Sequence, residues 1–515
     1  MLEYYLAGGG LRLFQTVVYA ALWIVIGCFV AAIFRRMLGP EKVRQIFANE
    51  TRFGLVAGWL IGMLLPVCSL GVIPIVRELH RCGVNRGTIV AFGLTAPLFN
   101  PMSVLYGLTL SDPIAIIVFS FCALVVVSLL GFAWNRMTAD VPVPVGESKM
   151  PKAGLRRSLA LFYSAGREAT GPSMGYMLIG IAASVAVATF LPHGYLQTQV
   201  VRDNAMAPVV VAMVATPVHS TPLLAMSQIG GMFDHGNSIG AAFSLLILGA
   251  GANIGLLAWF GRTYGFVRLL LFYLLLAATT VGLAYVIDKP LIPKGVAPKD
   301  HTHAFDVYTH PFASSRGDLY ASARQKGADF WIDNELGGTY LLAFLIVVGG
   351  LTYRVSRKPG VEAWFLEEVR TDSRLEKEVP GWILGVVSVC GLVITSVVGC
   401  YIYYPASNDL IDNQMTAINT EAVIAARVGD WEVADRLIPY ADDLSRRLEV
   451  GVFLRKGAVG PFQTANAKNY REKLDDLKAR VDDRDKSESL KKAASEVSQA
   501  YSQMCEAFRE EAKSN

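Results

Sequence analysis

The chain has 515 residues, 53% of them hydrophobic and only 17% charged, with 47 Lys and Arg against 43 Asp and Glu. A soluble protein carries about a quarter charged residues, and here the apolar residues fall in runs, which excludes a wholly soluble chain and points to a polytopic membrane protein. The net charge of +4 lies mostly between the runs, with no basic stripe interleaved with aromatics, so no nucleic-acid partner is expected.

In chain order, apolar segments occupy roughly 15–34, 53–82, 88–110, 114–135, 173–191, 206–233, 238–260, 265–287, 340–356 and 381–404. About 20 uncharged residues cross a bilayer core of roughly 30 Å. The first run has no charged leader or small-residue cleavage site and is followed by Arg35 and Arg36, so it reads as an uncleaved span. The seven cysteines, Cys28, Cys68, Cys82, Cys122, Cys390, Cys400 and Cys505, are odd in number and form no CxxC, which argues against a disulfide framework.

Segments 53–82 and 206–233 carry helix breakers at their centres, "PVCSLGVIP" and "TPVHSTP". The breakers are Pro66 and Pro74 in the first and Pro217 and Pro222 in the second, with Pro97 interrupting the segment that follows the first. Basic clusters orient the set: Arg35, Arg36, Lys42 and Arg44, then Arg77, Arg81 and Arg86, then Arg136, Lys149, Lys152, Arg156, Arg157 and Arg167. All three belong in the cytoplasm. The second cluster can be inside only if 53–82 enters and leaves on one face, which predicts a re-entrant hairpin. The same count makes 206–233 a hairpin entering from the other face. Kinked spanning helices are the alternative reading.

The two halves share a spacing. Pro66-Val-Cys68-Ser69 is followed by Gly83, Gly87 and Asn100, and Pro217-Val-His219-Ser220 by Gly236, Gly240 and Asn253. Repeats of opposite orientation with discontinuous helices place a substrate site between them at the bilayer midplane. The expected fold is therefore an all-α inverted-repeat bundle with two re-entrant hairpins. Its divisions are a first repeat over 1–140, a second over 141–290, an extramembrane loop over 291–339, two additional helices over 340–404 and a soluble helical tail over 405–515. The charge count puts the tail outside the cytoplasm, where it would meet a periplasmic partner or a second copy.

Irregular backbone at membrane depth survives only where protein or a water-filled cavity satisfies it. The freed groups of the first break, with Cys68, Ser69 and Gly71, then become ligands for a small solute or ion, and His219, Ser220 and Thr221 supply the facing half. Ionisable side chains in spans are functional candidates; His219 either contacts substrate and exchanges a proton, or caps the broken backbone. Asn100 and Asn253 either clamp the breaks or touch substrate. No Asp or Glu lies inside a span, and Glu78 and Asp112 are expected in solvent at the membrane edges, so no buried carboxylate relay is expected. His301, His303 and His310 in "HTHAFDVYTH" are weak metal candidates. No P-loop, GxSxG, HExxH or dinucleotide fingerprint is present, so neither enzyme chemistry nor a cofactor is expected.

The stretch "LLPVCSLGVIPIVRELHRCGVNRGTIVAFGLTAPLFNP" resembles the first signature of a family of predicted bacterial permeases that includes the organoarsenical efflux permeases. "TPVHSTPLLAMSQIGGMFDHGNSIGAAFSLLILGAGANI" is similar to its second signature, and the likeness covers about residues 10–290. Two cysteines of the family pattern are replaced here by Leu70 and His219, which leaves Cys68 as the lone thiol of the first motif. The resemblance implies a multi-pass permease of the bacterial inner membrane that exports a small solute such as a metalloid or organoarsenical. The alternatives are a membrane-anchored sensor or scaffold working through its tail, and a passive channel.

Overall fold

A computed structural model of the chain describes residues 2–47, 53–110, 113–141, 155–292, 302, 304–313, 318–333, 337–356, 397, 400–401, 403–484 and 487–510. Among these residues all regular structure is helical. The chain divides into two compact units, Met1–Ser103 with Ile114–Leu392, and Val104–Pro113 with Val393–Asn515.

In the first unit, α1 (Leu2–Ile33) continues through a π turn at Phe34–Leu38 into α2 (Gly39–Ile46). This element, α7 (Pro113–Met137), α9 (Pro172–Phe190) and α14 (Phe266–Asp288) contain the four described stretches long and apolar enough to cross a membrane. Helices suit that role because every backbone group is paired within the segment. Ile117, Phe121 and Phe132 on α7, and Phe266, Leu271 and Leu274 on α14, are exposed faces suited to lipid.

Between these helices lie shorter pieces. The first half has α3 (Gly54–Leu64), α4 (Val72–Arg81) and α5 (Arg86–Thr95), and α6 (Pro101–Leu110) follows in the chain, its residues from Val104 on belonging to the second unit. The second half has α10 (Ala207–Ala215), α11 (Pro222–Asp234), α12 (Ile239–Ser244, extended by a π segment to Gly251) and α13 (Ile254–Tyr264). The breaks at Pro66 and Pro217 therefore have companions. As Pro97 predicts, segment 88–110 is interrupted at 96–100, and segment 238–260, expected as continuous, is interrupted at Ala252–Asn253 with a bend of 59°. Pro97 removes an amide at the first interruption and Pro101 opens α6 after it, and in each case an asparagine restarts the helix.

Glycines set how these pieces pack. A Cβ on Gly58 would lie 2.8 Å from Thr88 O, and one on Gly62 3.0 Å from Ala96 N, so α3 and α5 run side by side in the same direction. A Cβ on Gly240 would lie 3.1 Å from Pro208, and one on Gly249 3.4 Å from Ala215, so α10 and α12 do likewise. The match continues 153 positions apart. Gly87 N donates to Asn135 Oδ1 at 2.7 Å and Gly240 N to Asp288 Oδ1 at 2.7 Å. Gly83 and Gly236 turn the chain at φ 76° and 60°, a region open to glycine and costly for other residues.

The basic stretch before the fifth segment, expected as a loop, contains the amphipathic helix α8 (Leu155–Thr170). It packs against α1 and against α16 (Gly337–Ser356), where Gly166 meets Gly349 backbone to backbone. The long loop after α14 likewise contains α15 (Leu319–Asp333). The expected span at 381–404 lies almost wholly outside the described residues.

The second unit is a helical bundle of α17 (Ser407–Leu410, extended by a π segment to Met415), α18 (Thr416–Val428), α19 (Trp431–Lys456), α20 (Pro461–Asp482) and α21 (Glu488–Glu510). Its core holds Ala422, Leu444, Leu448, Leu474, Leu477, Val497 and Met504. Tyr106 belongs to this unit, stacking on Tyr404 and donating to Asp443 at 3.2 Å. Arg471 pairs with Glu449 at 2.6 Å with side chains 5% and 1% exposed. Burial pushes the nearby Asp442 carboxyl above its usual range, against the opposing pull of Arg446. Removing one partner of a buried pair leaves the other charged and unpaired, at about 3–5 kcal/mol. Glu449→Ala is expected to lower the stability of this unit by that amount, measured by denaturant unfolding followed through Trp431.

Candidate functional site

The first break runs from Leu65 to Gly71. Pro66 ends α3, and Leu65 turns extended at ψ 123°. The break pairs several of its own amides: Val67 N donates to Leu65 O, Val72 N to Cys68 O and Gly71 N to Cys68 Sγ at 3.3 Å. Pro74 falls in the first turn of α4, where helix amides have no intrahelical partner to lose. Cys68 and Ser69 are fully buried. The break meets α1 backbone to backbone, since Gly71 lies against Trp23 O and Gly27 against Gly71 O with no room for a Cβ at either.

The second break runs from Thr216 to Thr221. Thr221 caps α11 by accepting from Leu224 N at 3.2 Å, with Pro222 in the first helical turn, and Ser220 Oγ donates to Thr221 O. His219 N donates to Ser184 Oγ on α9 at 3.0 Å. The imidazole points the other way, placing Nδ1 3.1 Å from Ser69 Oγ. The two breaks thus meet side chain to side chain inside the bundle. The other ring nitrogen of His219, Nε2, is buried with no hydrogen-bond partner.

Asn100 and Asn253 hold matching positions at the later interruptions. Asn100 Oδ1 accepts from Ser103 N at 2.8 Å, and Asn253 Oδ1 from Gly255 N at 2.8 Å, so each carbonyl restarts a helix. Each Nδ2 is buried and unpartnered. Asn253 lies beside the first break, because a Cβ on Gly180 would meet both Asn253 Oδ1 and Leu70 Cδ2. Pro97 lies within the interruption that precedes Asn100. The structure therefore joins Ser69 to His219 directly, and leaves His219 Nε2 and the amide donors of Asn100 and Asn253 without partners.

Several neighbours escape sequence inspection. Tyr308, buried, donates to Gln228 Oε1 on α11 at 2.8 Å and lies beside Ser220. It comes from the segment after α14, which is tied down by His310 N to Leu191 O, Thr302 N to Gln197 O, and Arg12 to the carbonyls of Asp306 and Thr309. His310 in that segment is committed to packing: it stacks on Tyr4 at 3.6 Å, and its nitrogens lie 3.1 and 3.2 Å from the carbonyls of Phe312 and Tyr4. His301 and His303 lie outside the described residues, and no cluster of three metal-ligating side chains occurs among the described ones.

Glu78, expected in solvent, is buried at 2% exposure. It accepts from Arg35 Nη2 at 2.6 Å and from Nε at 2.9 Å. The same Nη2 donates to Glu168 at 2.7 Å. The sequence hid this because Glu168 lies in a stretch that reads as a loop, 90 positions from Glu78.

Apolar helices broken in pairs, with polar side chains from both halves meeting in the interior, define a multi-pass membrane permease. The chain belongs to the ArsP_1 family, described as predicted permeases, whose profile matches residues 10–289. Over 80 residues it is 36% identical to the UPF0718 protein YcgR of Bacillus subtilis, covering 16% of this chain and 27% of that protein. Over 93 residues it is 27% identical to a Streptococcus mutans protein named as a two-component membrane permease complex subunit, covering 18% and 31%. The matches thus span about a third or less of these curated relatives. No solved structure matches the chain.

Interhelical hydrogen bonds in membrane proteins couple by about 0.6 kcal/mol on average and up to ~1.7. Ser69→Ala and His219→Ala are expected to show a coupling in that range in a double-mutant cycle of thermal unfolding in detergent. Strict additivity would mean that the two breaks do not touch.

Proposed function

We propose that this permease is a secondary-active exporter of a small thiophilic solute, and that the solute passes where the two breaks meet. The observation that carries the reading is the Ser69–His219 contact, which links polar groups from two halves that share one spacing. The parallel course of α3 with α5, and of α10 with α12, supports each broken segment returning to the face it entered. The basic clusters support opposite faces for the two, which makes the bundle an inverted repeat.

Cys68, Ser69 and Gly71 form one wall of the site, and His219, Ser220 and Thr221 the other. Asn100 and Asn253 brace the helix restarts and turn their free amide groups to the solute. The Cys68 thiol, in the break whose Ser69 meets the imidazole, and a ring nitrogen left free suit a soft, electron-poor centre such as a trivalent metalloid or its methylated form. The chain acts as a transporter rather than an enzyme, in the bacterial plasma membrane. Its tail lies outside the cytoplasm, available to a partner protein.

The test is resistance of a sensitive bacterial host challenged with methylarsenite, arsenite and antimonite. Expression of the chain is expected to raise tolerance to at least one of them. Cys68→Ala and His219→Ala are expected to remove about 90% or more of that gain at equal membrane abundance, since each deletes a direct ligand worth about 1.4 kcal/mol or more. Full resistance in the double variant would dismiss the site.

A further inference from the structure

We propose that Gln228 on α11 is a further solute-binding residue, that Tyr308 positions it, and that the pair reads an oxygen atom on the transported solute; the assignment rests on the transport reading above. Tyr308 is 3% exposed, although it comes from the connection after α14. Its phenol donates to Gln228 Oε1 at 2.8 Å and lies beside Ser220 of the second break. One hydroxyl thus ties α11 to a wall of the site. With Oε1 taken, Gln228 offers its amide nitrogen, which is buried and has no hydrogen-bond partner. A bare donor in the interior is costly until something accepts from it.

The same arrangement occurs at two other amides. Asn100 Oδ1 accepts from Ser103 N and Asn253 Oδ1 from Gly255 N, and each Nδ2 is bare. The elements that carry these residues converge. Ser69 meets His219 across the first two breaks. Asn253 and Leu70 both lie against Gly180. A Cβ on Gly251 would lie 2.8 Å from Leu98 Cδ2 and 3.0 Å from Leu94 O, which brings the interruption at Ala252–Asn253 onto the one before Asn100. An amide nitrogen donates and does not accept. Donors of this kind suit an oxygen with lone pairs and offer a bare cation nothing. The solute is then read at two ends: its soft centre at Cys68, and a hydroxyl or oxo oxygen bonded to that centre at Gln228.

Tyr308 is fixed firmly enough to set the amide. Its segment runs along α11 toward the break, with Ala304 over Gly231 and Tyr308 one turn further in at Gln228. Gln197 Nε2 donates to Asp306 Oδ1 at 2.9 Å, and Thr302 N to Gln197 O. Arg12 donates to the carbonyls of Asp306 and Thr309 at 2.7 and 2.8 Å. Phe305 packs against the Tyr308 ring at 6.3 Å. Removing the phenol oxygen leaves the Gln228 amide free to turn, so its donor is no longer held in one direction.

The experiment measures methylarsenite binding to the full chain in detergent by calorimetric titration, and methylarsenite export in inverted vesicles. Gln228→Leu removes the donor at similar volume, and Tyr308→Phe keeps the ring; Gln228→Met replaces Q228L should that variant fail to fold. Loss of one hydrogen bond to the solute is expected to raise Kd about tenfold in Q228L and about threefold in Y308F. In the Q228L background Y308F is expected to add nothing, because it acts through the amide; a further loss there overturns the positioning role. Thermal unfolding without ligand separates binding from folding. A lowered midpoint with unchanged Kd in both variants means that the pair is structural and overturns the proposal, as does a wild type that binds neither methylarsenite nor arsenite. Should Q228L weaken binding while no methylarsenite crosses the vesicle membrane, the exporter reading fails and the subsite stands. Should methylarsenite be exported with the same KM in Q228L as in the wild type, the exporter reading stands and the subsite fails.

Discussion

Everything in the membrane unit follows from one constraint: peptide groups in hydrocarbon must be paired inside the protein. Four interruptions of helix, at 65–71, 96–100, 216–221 and 252–253, would each be costly against lipid. They are tolerated because short local bonds satisfy part of the backbone and because they lie buried in the bundle. The closest packing is made by backbone rather than side chains, as at Gly27 on Gly71 and Gly255 on Tyr176. Such contacts leave no volume for rearranged side chains, so the irregular pieces are held as firmly as the helices around them.

Much of the architecture could be read from the residues. Apolar runs announced the helices, and prolines marked the centres of the two broken segments. The shared Gly-x3-Gly-x12-Asn spacing tracked a real structural correspondence, because Gly87 and Gly240 make the same amide bond to the side chain at the end of a following helix. What stayed hidden depends on tertiary partners. The break before Asn253 looks like ordinary apolar sequence until its cap is seen, whereas Pro97 marks the one before Asn100. α8 reads as a basic loop because its charges mask a helical period that makes sense only against α1 and α16. Glu78 looked solvated beside Arg77 and Arg81, and only the fold brings Arg35 over it. Tyr308 carries no local signal at all, since its role comes from where a long connection happens to rest.

The two halves are alike in frame and different in chemistry. The first contributes a thiol and a hydroxyl, the second an imidazole and two hydroxyls. The first closes on an ion network at α4, and the second on a phenol from a segment beyond the residues shared with the family profile. Any vectorial behaviour of the protein must be sought in these differences rather than in the common frame.

The pairing of Ser69 with His219 has an electronic consequence. A serine hydroxyl is both donor and acceptor, and a neutral imidazole carries its single proton on one nitrogen or the other. If the hydroxyl gives its hydrogen to Nδ1, the distant nitrogen bears N–H; if it receives one, that nitrogen bears a lone pair. Rotation of one O–H bond, with transfer of the ring proton, thus converts the buried imidazole edge from a donor toward oxyanions into a base toward electron-poor centres. The same heavy-atom framework can therefore present either an N–H or a lone pair at one buried ring edge.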